Sequence, residues 1–556
     1  MGAVAVVAAL GTAAAGPGTA RAGQAAGGDA GCPWVTSKAP VQQRVAQLMA
    51  RMSLADKITL VEGHGSSNPY VFYTPAIPSL CVPAVGLEDG PSGVADGLTG
   101  VTQLPAGVAL AASWDPALAR RYGTVIGTEQ AGKGSSADLG PTVNIDRDPR
   151  WGRSFESFSE DPYLSGHLAV PEIGGIQAQG VEDQVKHYAV YNQETNRNTP
   201  ADDARIGARA LHEIYLPSFY DAVTSGHAAS VMCSYSSING GAACGNKTLE
   251  TTILREAWNF PGFMMSDYGA VHGLDDAIDG TDQEQPENTY FGAPLRTALD
   301  AGTIPVATVN TMVQRVLTEM FRFNLFSQPR GGNTNATVTT PAHQDLGTQV
   351  AEAGTTLLKN SQSTLPLNAG HAPGNASDNT VAVIGPAASA APGYGGGGSA
   401  YVKPSDPVSP LQGIKATGAS VSYAQGLPAD TSLTAIGSPD LSPGYTAGNR
   451  YTGTLTAPET GTYVLGITNP CNCYSPATLS VDGKPLIANP GTPPVSTYSA
   501  SVKLVRGQKY TLSTSGTTSR LLWATPSGLA PGIARAVAAA KSAKPAVVVV
   551  GDDTES

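Results

Sequence analysis

The chain has 556 residues and a formal net charge of −11, from 33 Lys and Arg against 44 Asp and Glu. Hydrophobic residues make up 41% of it, enough to bury substantial cores, and the length predicts about three compact units. This acidic chain has no basic runs, so no nucleic-acid partner is expected, because phosphate binding needs clustered Lys and Arg. Past the first segment, Gly or Pro interrupts every run of roughly 20 apolar residues, so no membrane partner is expected either.

Residues 1–27 begin with an Ala/Val run followed by Gly and Pro, and a small-x-small pattern closes at Ala20-Arg21-Ala22. This is typical of a secretory signal with its cleavage site, although no Lys or Arg precedes Ala3. A disordered Ala/Gly tail is the alternative. The signal interpretation predicts a secreted or extracytoplasmic protein.

An even number of cysteines in an exported chain permits disulfides. The six cysteines are Cys32, Cys81, Cys233, Cys244, Cys471 and Cys473. Cys233 and Cys244 bracket a short Gly/Asn-rich loop and are a candidate pair, and a Cys32–Cys81 bridge would fasten the N-terminal segment. Cys471 and Cys473 are too close for an unstrained bridge with each other. Zinc is a weaker alternative, because no His stands at ligand spacing, and no metal or other cofactor is expected.

From about residue 40 to 326, strand-like apolar runs alternate with helix-like segments and Gly-marked polar loops. This alternation indicates βα units around a parallel sheet. Roughly 290 residues of it favour a (β/α)₈ barrel over an open sheet. The chemistry of such a barrel lies at the carboxyl ends of its strands, where polar motifs are expected.

The rest of the chain changes character twice. Residues 327–345 are predicted to be a linker, and a second α/β unit is predicted over 346–417 and again over 527–556. Its Gly-rich loop, Tyr394–Ser399, lacks the Lys-Ser/Thr ending of a phosphate-binding loop. Between the two parts, residues 418–526 show short alternating strands with Gly/Asp turns, which predicts an inserted β-sandwich. Because the second unit stops directly after a strand, we expect a chain truncated at Ser556.

Polar clusters follow strand-like segments throughout the predicted barrel. They are residues 87–97, 144–164, 186–197, 232–240 and 260–273. Carboxylates and cations in them can form charge-assisted hydrogen bonds with sugar hydroxyls, and their aromatic rings can pack on the apolar faces of sugars. Solvated loop charges or structural ion pairs would explain any one cluster alone. All of them in one barrel favour a carbohydrate site.

Over about residues 40–556, apart from the insert, the sequence resembles glycoside hydrolase family 3, of the β-glucosidase type. The resemblance rests on DGPSG at 89–93, RDPRWGRSFESFSEDP at 147–162, KHYA and NQETNR within 186–197, MCSYSSING at 232–240, MSDYGAVHG at 265–273 and LLKNSQSTLPL at 357–367. The insert resembles the PA14-type β-sandwich, a carbohydrate-associated module. Together they imply a barrel followed by an α/β sandwich domain that the all-β module interrupts.

The resemblance implies a retaining β-glucosidase that releases terminal non-reducing β-D-glucosyl residues in two displacement steps. Asp267 matches the family nucleophile, whose carboxylate attacks the anomeric carbon. An Asp after a strand is otherwise often a helix N-cap. Positions that match sugar-binding residues are Asp89, Arg153, Lys186, His187 and Arg197, for which an internal ion-pair network is the structural alternative.

Further residues of the implied site line its walls. Met232 and Tyr235 match the pocket wall, and Tyr268 stands where the family often has Trp. Ser399 is a candidate contributed by the second unit. Glu156 is expected to support the arginines rather than to touch sugar.

The general acid/base is commonly a Glu in the second unit of this family, in a loop after a strand. Glu555 is the candidate of that type here, but we expect the true acid/base to lie beyond Ser556. Loss of general acid catalysis costs about 10²–10⁴-fold in rate.

Other functions are weighed against the β-glucosidase hypothesis. Family β-xylosidases tend to replace the DGPSG acid with a Glu-Ala-Leu-His type segment, so Asp89 favours glucose, and KHYAVYNQE does not match the hexosaminidase loop. Removal of sugar from glycosylated small molecules is a further alternative. A non-catalytic carbohydrate-binding protein would not need Asp267 in its full motif, and a phosphate-binding enzyme is disfavoured. The sequence carries no signal for the oligomeric state.

Overall fold

Short strands surrounded by helices form the first part of the molecule. The computed structural model describes residues 31–65, 69–327, 331–367, 380–389, 398–427, 433–437, 439–446, 448–468, 477–489, 497–518, 520–543 and 545–551. The α-helices of the first part are α1 (Pro33–Thr36), α2 (Val41–Met49), α3 (Leu54–Val61), α4 (Gly107–Ala111), α5 (Pro116–Lys133), α6 (Pro162–Gln177), α7 (Ala208–Ala210), α8 (Pro217–Thr224), α9 (Asp275–Asp279), α10 (Ala293–Asp300) and α11 (Val306–Arg322). Its strands are β1 (Phe72–Thr74), β2 (Val85–Asp89), β3 (Ala137–Leu139), β4 (Glu182–Tyr188), β5 (Asp203–Ala204), β6 (Ser230–Cys233), β7 (Ser237–Ile238), β8 (Gly241–Ala242) and β9 (Phe263–Met265). None of the helices in the described ranges has the length and apolarity needed to cross a membrane.

Local sequence signals set the helix boundaries, as α5 illustrates. The Asp115 side chain accepts hydrogen bonds from the backbone amides of Ala117 and Leu118, and Pro116 takes the first helical position. Gly134 ends the helix in the left-handed conformation, at φ 83°, which glycine adopts without a steric penalty. The helix therefore begins and ends where its sequence supplies a cap.

The main sheet of the first part has the strand order β1-β2-β3-β4-β6-β9. β1 is antiparallel to β2, and the other neighbours are parallel. Within the described residues, the prediction of eight parallel strands is therefore wrong in the number of strands and in the direction of β1. Beyond β9, residues 281–285 pair with it through a single bridge, between Met265 and Gln283. The segment is therefore not a strand of the sheet, and Pro286, which has no N–H, cannot continue the pairing beyond it.

The sheet nevertheless curls back towards its first strand. The Gln283 side-chain amide donates to the carbonyl of Leu60 at 2.9 Å and to the Thr74 hydroxyl at 3.1 Å. Thr74 is the last residue of β1. Residues 281–285 thus lie between β9 and the end of β1, and the carboxyl ends of the parallel strands surround one face.

The second part of the molecule contains a small parallel sheet. Its helices are α12 (Pro341–Gly354), α13 (Pro410–Ala416) and α14 (Pro526–Ser542), and its three strands, in the order β11-β10-β21, are β10 (Thr380–Ile384), β11 (Ser420–Ala424) and β21 (Ala546–Val548). All of the pairings in this sheet are parallel. β11 falls inside the segment 418–526 that the sequence assigned to the insert, but it pairs with β10. Alternation alone cannot distinguish the two sheets, because it reports strand period and not the partner strand.

A β-sandwich lies in the chain between β11 and α14. Its strands are β12 (Thr434–Ala435), β13 (Leu441–Ser442), β14 (Gly448–Thr456), β15 (Gly461–Thr468), β16 (Ala477–Val481), β17 (Lys484–Asn489), β18 (Thr497–Leu504), β19 (Lys509–Thr518) and β20 (Arg520–Ala524). They form two antiparallel sheets, in the orders β12-β20-β15-β18 and β13-β14-β19-β16-β17. Alternate residues Tyr463, Leu465 and Ile467 of β15 are completely buried in the shared core, as a strand with one face inward requires.

Two disulfides cross-link segments of the first part of the molecule. Cys233 pairs with Cys244, and Cys32 pairs with Cys81. Both predicted bridges are confirmed. Cys471 and Cys473 lie outside the described residues.

A buried carboxyl on β4 makes the stability of the fold depend on pH. Burial raises the pKa of Asp183 to about 8, and its Oδ1 accepts a hydrogen bond from the Ala229 amide at 3.0 Å. Between about pH 4, where an unfolded Asp ionises, and about pH 8, the folded state holds one more proton, so stability falls as pH rises, by up to about 1.4 kcal/mol per pH unit.

Substitution Asp183→Asn is therefore expected to flatten the dependence of Tm on pH between about pH 5 and about pH 8. Thermal unfolding of the wild type, of Asp183→Asn and of the exposed control Asp300→Asn measures this. Equal slopes in all three proteins would show that Asp183 is ionised in the folded state.

Candidate active site

The parallel strands bring the residues singled out by the sequence to one face. Asp89 ends β2, Lys186 and His187 lie near the end of β4, Met232 lies in β6, and Asp267 follows β9 by two residues. Neighbouring parallel strands end at the same edge of a sheet, which explains how positions so distant in sequence come together. Asp89, Lys186, His187 and Asp267 are all buried.

Asp89 and Lys186 form an ion pair at the base of the site. The Lys186 ammonium donates to Asp89 Oδ1 at 2.5 Å, and the side chains are only 1% and 8% exposed. Burial raises the pKa of Asp89, while the charge and hydrogen bond of Lys186 oppose the rise. The contact with Lys186 favours the ionised form of Asp89 against this burial, and the carboxylate can accept charge-assisted hydrogen bonds from hydroxyl groups.

The Asp267 carboxyl is held by neighbouring donors. The Tyr268 amide donates to Oδ1 at 2.7 Å, and the Tyr235 side chain also hydrogen-bonds the carboxyl. Burial raises the pKa of Asp267, and the charge of Arg153 is the main opposing influence. These contacts fix the direction of a carboxylate that is otherwise surrounded by protein, which is the arrangement that an attacking carboxylate needs.

His187 is neutral in this site. Its Nε2 lies 3.6 Å from Asp267 Oδ2 and 3.0 Å from Nη2 of Arg153, and its Nδ1 lies 3.2 Å from Asn144 Oδ1. A guanidinium only donates, so Nε2 accepts, and the hydrogen-bond network assigns the ring proton to Nδ1. Burial, followed by the charge of Arg153, lowers the pKa of His187 well below its usual value. The contact with Asp267 is therefore not an ion pair.

Arg153 connects both parts of the molecule at the site. Its Nε donates to Glu156, and its Nη2 donates to the Ser399 hydroxyl at 3.0 Å. The predicted contact between Glu156 and an arginine is confirmed. Ser399 is brought there by a segment of the second part, in which Val402 is fully buried and the Ser405 hydroxyl donates to the Val101 carbonyl at 3.2 Å.

A second arginine lies beside an acid–aromatic cluster. Arg197 Nη1 donates to Glu194 Oε2 at 2.7 Å, and the Tyr191 hydroxyl donates to the same oxygen at 2.6 Å. The Trp151 indole donates to the other oxygen at 2.7 Å. The Arg197 guanidinium also lies 4.9 Å from the centre of the Tyr235 ring, a cation–π contact. Arg197 is thus part of the ion-pair network that the sequence offered as its structural alternative, and it also touches the predicted pocket wall.

The predicted wall residues differ in exposure. Met232 and Tyr235 are 2% and 8% exposed, whereas Tyr268 is 47% exposed and packs 6.1 Å from the ring of Phe72. Tyr268 therefore presents an aromatic surface beside Asp267, to which it is joined through its backbone.

The structure adds residues that the sequence did not single out. Asn144 accepts from the His187 amide at 2.9 Å, Glu194 joins three donors, and Asp96 Oδ2 accepts from the Asp89 amide at 3.0 Å. All three lie inside the polar clusters noted in the sequence, but nothing in those clusters says which side chain acts through which neighbour. Glu555 lies outside the described residues, as do residues 1–30. Among the described residues, no group of His, Cys, Asp or Glu side chains has the geometry to hold a metal ion.

Comparison with known families decides the relationship. The model of the glycosyl hydrolase family 3 N-terminal domain matches residues 74–318, and that of the family 3 C-terminal domain matches residues 355–556. The chain belongs to glycosyl hydrolase family 3. Its solved family relatives include DesR, a β-glucosidase from Streptomyces venezuelae in complex with D-glucose, which is 34% identical with a TM-score of 0.77, over 92% of this chain and 68% of that chain.

Curated relatives of the chain carry the names of two glycosidase activities. A β-glucosidase from Bacteroides ovatus is 36% identical over 420 residues, covering 70% of this chain and 54% of the relative. An exo-α-(1→6)-L-arabinopyranosidase from Bifidobacterium longum is 34% identical over 403 residues, covering 69% and 51%. The chain spans about half the length of the curated relatives that it matches.

Proposed function

We propose that this protein is a retaining β-glucosidase that releases terminal non-reducing β-D-glucosyl residues. The observation that carries the proposal is the buried Asp267 carboxyl, which lies at the end of β9 among Tyr235, His187 and Arg153 and on the same face as the Asp89–Lys186 pair. The family relationship and the β-glucosidases among its relatives support it.

In the proposed reaction, an Asp267 oxygen attacks the anomeric carbon while the bond from that carbon to the aglycone oxygen breaks. The aglycone oxygen takes a proton from the general acid. Water then attacks the same carbon, gives up a proton to that group acting as base, and releases the Asp267 carboxylate. Glu555 stays a prediction for the acid/base role.

Sugar binding is assigned to the charged groups around Asp267. Asp89 accepts hydrogen bonds from sugar hydroxyls, and Lys186 and Arg197 donate to them. Arg153 donates to His187 and to Ser399 and so positions both side chains beside the sugar ring. Paired charged contacts fix the orientation of the ring for attack, which lowers the entropy cost of reaching the transition state.

A fluoro-sugar that forms a stable glycosyl-enzyme tests this proposal. After incubation with an activated 2-deoxy-2-fluoro-β-glucoside, peptide mapping should find the label on the peptide that contains Asp267. A label on another carboxyl, or a protein that consumes β-glucosides without becoming labelled, would contradict the assignment of the nucleophile.

Release of a different terminal sugar is the second candidate. The Bifidobacterium relative named an arabinopyranosidase favours it, and the β-xylosidase alternative belongs to the same class. Nitrophenyl β-glucoside, β-xyloside and α-L-arabinopyranoside compared at equal concentration separate the candidates. We expect the β-glucoside to have the highest kcat/KM, because Asp89 is suited to hydroxyls at the far side of a hexose.

The two antiparallel sheets of the sandwich support its assignment as a PA14-type carbohydrate-associated module, and we place its start after β11. Deletion of residues 433–524 with the ends rejoined tests a role in substrate choice. A substrate-facing module predicts a changed preference between short and long β-glucosides with unchanged glucose affinity.

The disulfides support secretion to an oxidising compartment, where such bonds persist. We expect Cys32, Cys81, Cys233 and Cys244 of protein collected from the culture medium to resist alkylation until a reductant is added. Mass spectrometry of alkylated peptides measures this. Free thiols at these positions in the freshly collected protein would argue for a reducing compartment.

A further inference from the structure

Glu88 is a buried acid directly beside the sugar-binding Asp89. Its side chain is 0% exposed. Within the described part of the chain, neither of its carboxyl oxygens has a hydrogen-bond donor in ordinary geometry. Its polar neighbours are the Asp96 carboxyl, with which it shares a hydrogen bond, and the Val71 amide, whose contact is the smallest influence on the pKa of Glu88 and lowers it. A buried carboxylate without strong donors is unfavourable, so this group needs a proton or a counter-ion.

The nearby cations are engaged elsewhere. The Lys133 ammonium donates to the backbone carbonyls of Thr99, Thr334 and Ala336, which uses its three protons. The Lys186 ammonium donates to Asp89. The Tyr70 hydroxyl, on the segment before β1, donates to the carbonyl of Lys133. Neither ammonium therefore donates a hydrogen bond to the Glu88 carboxyl.

Electrostatics lead to the same protonation state. Burial raises the pKa of Glu88 to about 11, and the charges of Asp96 and Asp89 add to the rise. Glu88 is therefore a carboxylic acid at neutral pH, with one O–H to donate. Burial also raises the pKa of Asp96, but the hydrogen bond between the two carboxyls raises the pKa of Glu88 and lowers that of Asp96, which places the proton on Glu88 and leaves Asp96 as the acceptor.

Asp96 in turn is tied to the backbone of Asp89. Its Oδ2 accepts from the Asp89 amide at 3.0 Å, and the Ala95 amide donates to the Asp89 carbonyl at 3.0 Å. Asp96 adopts φ 55°, a left-handed conformation in which Asp is one of the few tolerated residues. The loop after β2 therefore folds back, and the Asp96 side chain accepts a hydrogen bond from the backbone of Asp89, the last residue of the strand.

We propose that Glu88 is a protonated donor that holds the Asp96 carboxylate against the Asp89 amide and so positions Asp89 for the sugar. Glu88 and Asp96 are then positioning residues that act through Asp89. The inference rests on the proposed function where it assigns Asp89 to sugar binding.

Infrared difference spectroscopy tests the protonation without any activity. The spectrum of the wild type minus that of Glu88→Gln, recorded at about pH 8, where carboxyls ordinarily are ionised, should contain the C=O band of a carboxylic acid, and deuteration should shift it. Other buried acids cancel in the difference. A carboxylate band in its place would overturn the proposal.

Glucose affinity tests the positioning. Glu88→Gln keeps a donor of the same shape and should bind glucose within about twofold of the wild type, whereas Glu88→Leu removes the donor and should weaken binding roughly tenfold, as for one charge-assisted hydrogen bond. Calorimetry measures the binding. If Glu88→Leu does not fold, Asp96→Ala replaces it and should weaken binding by a similar factor.

Equal weakening in Glu88→Gln and Glu88→Leu would contradict the positioning role, because a structural defect does not depend on the donor. On aryl β-glucosides, the loss in Glu88→Leu should appear mainly in KM. A wild-type protein that does not bind glucose would contradict the proposed function, and the infrared band would still report on Glu88.

Discussion

Replacement of Asp267 by glycine is expected to lower kcat on aryl β-glucosides by roughly 10⁴–10⁶-fold, the range found when covalent nucleophiles are removed. The substitution removes the carboxylate that attacks the anomeric carbon and leaves the Asp89–Lys186 pair in place. Glucose affinity should therefore change far less than kcat. The matched control Asp300→Gly removes an exposed carboxyl on α10 and should retain wild-type turnover.

Added azide distinguishes loss of the nucleophile from loss of the fold. In Asp267→Gly, azide can enter the space that the carboxylate occupied and attack the anomeric carbon from that face, while the bond to the aglycone oxygen breaks. The product should be α-glucosyl azide, because the configuration inverts once. Formation of the β-azide, or turnover that azide does not increase, would place the nucleophile elsewhere.

The sequence located the main parts of the site because its motifs sit at strand ends. Asp89 and Lys186 were both proposed from motifs at 89–93 and 186–197, and the structure places them 2.5 Å apart. Pattern and resemblance give residue types at strand ends. The parallel sheet then brings these residues to one edge, even when other strands lie between the strands that carry them.

Contacts that depend on loop geometry could not be predicted. His187 and Asn144 are separated by 43 residues, and their hydrogen bonds depend on the path, beside β4, of the loop that leads from β3 to α6. The same holds for the contact between Arg153 and Ser399, which joins residues 246 positions apart across the two parts of the molecule. Sequence patterns carry the period of an element and its capping signals, and neither fixes the path of a loop.

The two wrong predictions about the fold, the number of strands in the barrel and the start of the insert, also concern contacts between distant segments. The length of the alternating region predicts the number of strands, but β1 pairs antiparallel and residues 281–285 contribute a single bridge instead of a regular ladder. The start of the insert was placed at 418 because β11 alternates like the strands of the sandwich. Pairing partners are long-range information, and only the folded chain supplies them.

Replacement of Lys186 by methionine is expected to have the second largest effect. Met matches the length of Lys but carries no charge, so Asp89 loses its buried partner. Breaking a buried ion pair on one side costs about 3–5 kcal/mol in the free energy of unfolding. Because the charge of Lys186 lowers the pKa of Asp89, its removal raises that pKa further, and Asp89 becomes protonated at neutral pH. The sugar then loses a charged donor and a charged acceptor together, which predicts a fall in kcat/KM of about 10²–10⁴-fold.

The double variant Lys186→Met/Asp89→Asn separates stability from function. Removing the second charge leaves no unpaired carboxyl, so the double variant should be more stable than Lys186→Met alone, and the two changes should couple strongly. Activity should not return, because both sugar contacts are missing. Chemical denaturation and kcat/KM on an aryl β-glucoside measure the two quantities, with the exposed Lys247→Met as the control for loss of a lysine charge. If Asp89→Asn destabilised Lys186→Met further, the pair would not be the electrostatic unit that its 2.5 Å contact indicates.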